Sequence, residues 1–192
     1  GYVTENHHQW LVNQYDSNPS TAILIVQNKE KNTVGTLTMV FDVKSSLPAT
    51  SIYQSEIKHL QISGHKIVEI SRLVIDRDHR NAKEILGSLF NYLYIFTYYV
   101  KNYSSLVIEV NPRHKEYYRA LLGFKEIGSE RLCAYVENAP AVLLYLPLLH
   151  SKNEINKYLN ITTEKRNKSL YPYFLKSDLE SLVVSYLEKQ FK

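Results

Sequence analysis

The sequence predicts an α/β fold: a mixed sheet flanked by helices, with a helical extension at the C-terminal end. Three features predict it. Short β-branched apolar runs recur through the first three quarters of the chain. Runs of helical period alternate with them after an opening hairpin. From residue 147 onward the pattern is helical only.

In order, residues 1–20 are polar and weakly patterned, and Asn18-Pro19-Ser20 marks a turn. Thr21–Gln27 and Val34–Val43 read as a hairpin across the charged turn 28–32. Leu47-Pro48 breaks the chain. Ser51 with Gln54 opens a short helix to Leu60 in capping-box form. Residues 66–76 form a buried strand, Ile67, Val68, Ile70, Leu73, Val74 and Ile75 being its apolar members. Asn81 and Glu84 cap the next helix. Its stripe is Ala82, Ile85, Leu86, Leu89, Leu93, Phe96 and Val100. Ser104–Val110 is a strand stopped by Asn111-Pro112, and 113–122 is a helix stopped by Gly123. Phe124–Ile127 and Arg131–Leu146 read as closing strands, broken at 138–140. Two domain parts follow: a core over 1–146 and a helical extension over 147–192 packed on it. In the extension, Ser177 and Glu180 form a capping pair ahead of the stripe Leu179, Leu182, Val183, Tyr186, Leu187 and Phe191.

Composition narrows the function classes. With 192 residues and 44% hydrophobic residues the chain supports a real core. The longest apolar runs are too short to span a bilayer. Gly1 is not an initiating Met, leaving room for upstream sequence, and no signal-peptide pattern follows. Cys133 is the only cysteine, which excludes an internal disulfide and a thiolate zinc site and fits a reducing cytoplasm. No metal is expected, since the histidines lack ligand spacing. A net charge of +4 is mild and gives no case for nucleic acid. The chain has neither a Gly-rich phosphate loop nor a GxSxG nucleophile elbow.

Within the apolar run 66–76 lie two charges, Glu69 and Arg72. Burying either unpaired is expensive. Two readings stand at this point: a structural ion pair joined across a bulge, or a carboxylate set as a general base beside an amine. The helix N-terminus after the strand, with His79, Arg80 and Lys83, is a candidate anion site. Arg113 and His114 follow a strand end and could bind an acceptor carboxylate.

Three motifs occur in order: Glu69-Ile70-Ser71-Arg72-Leu73, Val110-Asn111-Pro112-Arg113-His114, and Tyr117-Tyr118-Arg119-Ala120-Leu121-Leu122-Gly123-Phe124. The last resembles the signature of GNAT N-acyltransferases. The first resembles the Glu-x-Ser-Arg strand of acyl-homoserine lactone synthases and long-chain N-acyl amino acid synthases. Gly35-Thr36-Leu37-Thr38, Leu47-Pro48, Val136-Glu137-Asn138-Ala139-Pro140-Ala141 and Ser169-Leu170-Tyr171-Pro172-Tyr173-Phe174 extend the likeness to the latter group.

The resemblance implies a GNAT-like sheet and transfer of a long acyl chain from a pantetheine thioester to the amine of an amino acid. It implies Glu69 as base, Arg72 as the residue holding it, and Tyr118 as acid at the leaving thiolate. It places pantetheine along Leu73, Val74 and Ile75, near Arg80, Asn81, Lys83 and Asn111. No cofactor is tightly bound; the co-substrate is an acyl carrier protein thioester or acyl-CoA. Residues 80–84 contain no glycine where coenzyme A users carry a pyrophosphate loop, which favours an acidic carrier protein. Arg77, Arg80, Lys83, Arg113, Lys115 and Arg119 would then steer docking. Two alternatives remain open: an acetyl-CoA-dependent N-acetyltransferase of a small amine or protein, and a non-catalytic acyl-binding domain.

Overall fold

The computed structural model describes residues 15–43, 47–76, 82–133, 137–159 and 168–191. Six strands form one sheet, β1 (Thr21–Gln27), β2 (Thr33–Phe41), β3 (Ile67–Ile75), β4 (Ser105–Val110), β5 (Lys125–Cys133) and β6 (Ala139–Pro147). Their spatial order is β1-β2-β3-β4-β6-β5. Only β3 and β4 pair in parallel, and a helical crossover joins them. Every other neighbouring pair is antiparallel.

The two faces follow from strand alternation. Val68 and Ile70 of β3, and Leu106, Ile108 and Val110 of β4, enter the larger core. That core is covered by α2 (Ala82–Tyr94), α3 (Lys115–Leu122) and α4 (Leu148–Leu159). Ile67 and Val107 point the other way, into a smaller core under α1 (Thr50–Ile62). Gly35 is where β2 and α2 meet: a Cβ there would lie 2.8 Å from Ile85. The chain after α4 returns to the larger core through Leu170, Tyr171 and Phe174. The Tyr171 hydroxyl donates to the Leu122 carbonyl at 2.8 Å. The last helix, α5 (Ser177–Phe191), has no buried residue and lies against the outside of the segment following α2.

Four expectations change. The long helix ends at Tyr94, and Ile95–Val100 continues as a π-helix. Ser51 does not build a capping box; its hydroxyl donates back to the Pro48 carbonyl, and α1 has no side-chain cap. Glu180 accepts a hydrogen bond from the Tyr99 hydroxyl at 3.1 Å, so it ties α5 to the π segment. β5 runs unbroken through Gly128-Ser129-Glu130, which bulge against β6. A Cβ on Gly128 would lie 2.5 Å from the Tyr53 ring, so glycine admits the aromatic there. The chain reverses later, at Glu137 and Asn138, both with positive φ. Asn81, of the expected α2 cap, lies outside the described residues.

Candidate active site

The centre of the sheet forks. β3 and β4 pair from Ile67 with Ser105 to Ile70 with Ile108. Beyond that pair β3 continues to Ile75 along β2 alone, and β4 continues to Val110 along β6. The inner edges of Ser71–Ile75 and Glu109–Val110 therefore lack each other as partners. Unpaired strand N–H and C=O groups are strong, obligatory hydrogen-bonding groups. Such a slot suits an extended chain bearing amides.

Glu69 sits just before the fork, opposite Val107 and on the α1 face. It is 3% exposed. Its Oε2 accepts from the Ala49 backbone N–H at 2.8 Å, immediately ahead of α1. Desolvation pushes its pKa up to about 8. The Glu109 charge adds to the rise, and the Ala49 hydrogen bond opposes it. This is a carboxyl that titrates near neutrality.

The bulge is real, but it does not join Glu69 to Arg72. Between the pairs Thr36 with Val74 and Thr38 with Ser71, β3 carries one extra residue, and Arg72 has φ 47°. That conformation turns the guanidinium to Asp16, which it grips with both terminal nitrogens, Nη2 donating at 3.0 Å. Arg72 thus pins the segment before β1 to the bulge, and the expected hold on Glu69 is corrected.

Tyr118 lies on α3 and packs, half-buried, against the larger core beside Tyr117 and Phe124. It is on the face opposite Glu69. Burial pushes its pKa up to about 12, so the phenol stays protonated at neutral pH. On β3, Leu73 and Ile75 lean on the larger core while Val74 is exposed. Lys83, in the first turn of α2, lies 5.3 Å from the Tyr173 ring centroid. Arg77 and Arg80 lie outside the described residues.

Past β4, the Asn111 side chain accepts from the Arg113 N–H at 3.2 Å and starts the turn Pro112–His114. Arg113 and His114 are exposed, and the Arg113 Nε–H donates to His114 Nε2 at 3.1 Å. Lys115 pairs with Glu126 and Arg119 with Glu116. Two of the expected docking charges therefore face carboxylates of their own chain.

Glu109 went unnoticed in the sequence. It is the first β4 residue past the last β3–β4 pair and shares its face with Val107 and Glu69. Burial raises its pKa, while the Cys133 thiol hydrogen-bonds to it and lowers it. The signal available was a charge inside the apolar run Leu106–Val110, the same kind of signal that singled out Glu69. Among the described residues, no group of His, Cys, Asp and Glu is arranged to hold a metal ion, and no helix is long and apolar enough to cross a membrane.

Residues 1–147 match the family model described as N-acyl amino acid synthase FeeM. Among solved structures, FeeM, an N-acyl amino acid synthase from uncultured soil microbes, is similar at 26% identity and TM-score 0.64. The match covers 72% of this chain and 79% of that one. BjaI, a CoA-dependent acyl-homoserine lactone synthase solved with SAM and isopentyl-CoA, shares the fold at 15% identity and TM-score 0.58. That match covers 79% of this chain and 70% of the other. No curated protein sequence matches. With its forked mixed sheet and a family match running from Gly1 through the last strand, the chain belongs to the FeeM family of N-acyl amino acid synthases, GNAT-fold N-acyltransferases.

Proposed function

We propose that the protein transfers a long fatty acyl group from an acyl carrier protein thioester to the α-amine of an amino acid, with Glu69 as general base. The observation that carries this reading is a carboxyl buried at the last paired residues before the fork, where desolvation pushes its pKa up to about 8. A base that is half-ionised near working pH is well matched to taking a proton from an attacking amine.

The phosphopantetheine arm lies in the fork, its amides meeting the inner edges of Ser71–Ile75 and Glu109–Val110. The amine approaches from the α1 face. Its nitrogen attacks the thioester carbon directly, so positioning supplies much of the rate and no acyl-enzyme forms. As the C–N bond forms, Glu69 takes an N–H proton. The C–S bond breaks and the electron pair leaves on sulfur, which draws a proton from Tyr118. Arg113 and His114 stand beyond the end of β4, where an acceptor carboxylate would be met. The glycine-free stretch Arg80-Asn81-Ala82-Lys83-Glu84 supports a carrier protein rather than free CoA as donor.

The test uses the purified chain with dodecanoyl acyl carrier protein or dodecanoyl-CoA and each proteinogenic amino acid in turn. Mass spectrometry should show one N-dodecanoyl amino acid and free carrier thiol. Faster turnover with the CoA ester would overturn the donor, and no N-acyl product with either donor would overturn the reaction.

A further inference from the structure

Going from ammonium to amide, the acceptor nitrogen must lose two protons, and Glu69 can take only one. Glu109 is placed for the other. It follows the last β3–β4 pair by one residue, so it stands at the mouth of the fork. Strand alternation puts it on the face of Glu69, whose register partner is Val107. The two carboxyls share one face at the fork and lie near enough for the Glu109 charge to act on Glu69, so one ammonium can sit between them.

The Cys133 thiol hydrogen-bonds to Glu109, but no cation among the described residues neutralises it. Among the described residues, Tyr53, Cys133 and Glu69 are titratable groups that interact with it, and Arg131 and Glu56 act on Tyr53 in turn. Arg131 is committed to Glu56 and to the Ile52 carbonyl, and its guanidinium stacks on Tyr53. The Tyr53 hydroxyl donates to the Ala141 carbonyl at 2.6 Å. Among the described residues, neither Glu69 nor Glu109 pairs with a lysine or arginine. Among the described residues, only the Oε2 of Glu69 is held, by the Ala49 N–H. Two carboxylates sharing a partly dry site repel, and a cation between them relieves both.

We propose that Glu109 is an acceptor-binding residue which, with Glu69, forms a two-carboxyl seat for the substrate ammonium and takes the first of its two protons. This rests on the reading of Glu69 as base. The first proton passes from nitrogen to Glu109 and frees the lone pair. That pair forms the C–N bond, and the second N–H proton goes to Glu69 as the thiolate leaves with a proton from Tyr118.

The experiment compares wild type, Glu109→Gln, Glu109→Asp and Glu69→Gln, using dodecanoyl acyl carrier protein and the amino acid of fastest turnover. Glu109→Gln should raise the acceptor KM at least about tenfold with the donor KM unchanged. Removing its charge also relieves the repulsion on Glu69, so the acid-side limb of the pH profile should move to lower pH. Glu109→Asp should raise the acceptor KM by less. An unchanged acceptor KM and an unmoved limb in Glu109→Gln would overturn the proposal. Should that variant not fold, Glu109→Asp with wild-type acceptor KM would do the same. Full activity in Glu69→Gln would instead sink the base assignment, leaving the Glu109 result to stand by itself.

Discussion

Glu69 shows how one buried carboxyl ties stability to pH and, in the proposed mechanism, to activity. Folding raises its pKa from the usual carboxylate range to about 8. The native state therefore binds more protons than the unfolded chain between those limits, and stability falls as pH rises through them. Glu69→Gln keeps the shape and can still accept from Ala49 N–H, but it removes the charge. Urea unfolding should find this variant more stable than wild type at pH 9, on the order of 2–4 kcal/mol, with a much smaller difference at pH 5. Equal stabilities at pH 9 would mean that the carboxyl is not desolvated. The same substitution should lower acylation about 10²–10⁴-fold, measured as kcat at pH 8. In wild type kcat/KM should climb with pH through about 8, because Glu69 in the proposed role works only when ionised. Burial of Glu69 was legible from the sequence, since a charge amid β-branched residues has little chance of reaching water. Its partners were not. Ala49 and Glu109 are 20 and 40 residues distant, and only strand register brings them near. Arg72 failed for a related reason: the bulge expected to bring it to Glu69 is present, but Arg72 takes a left-handed φ there and its guanidinium goes to Asp16.

At the scale of elements, the strands and helices were readable because their periods differ, and Gly123, with φ 82°, stopped α3 as expected. The boundary between β5 and β6 was misread because Gly128-Ser129-Glu130 has the composition of a turn. Its glycine serves packing instead. Gly128→Ala should destabilise by about 1–3 kcal/mol in denaturant unfolding, since Tyr53 is pinned by its hydroxyl and cannot retreat from a new methyl. A midpoint within error of wild type would show that α1 can shift. The π segment was likewise invisible, because its apolar stripe continues that of α2. The Thr97 hydroxyl bonds back to the Leu93 carbonyl at 2.7 Å within it.

At the scale of the molecule, the C-terminal extension divides unequally. Leu170, Tyr171 and Phe174 complete the larger core, whereas α5 leans on its outside through Val183, Val184, Leu187 and Phe191 and the Tyr99–Glu180 hydrogen bond. Deleting residues 177–192 should leave a folded, active enzyme with a modestly lower Tm. Ending the chain at residue 159 should abolish cooperative unfolding, read by circular dichroism on heating. A cooperative transition in the shorter chain would show that the sheet and its helices suffice. The sheet itself is two three-stranded leaves, β1-β2-β3 and β4-β6-β5, stitched along only four residue pairs. Those four pairs act as a seam. Rotation about it would widen or narrow the gap between the leaves while every ladder within each leaf stays whole. Were the proposed acyl arm to pass between them, the bore would be governed by an angle, and a bulkier tail would call for a few degrees of swing where a closed barrel would need a new lining.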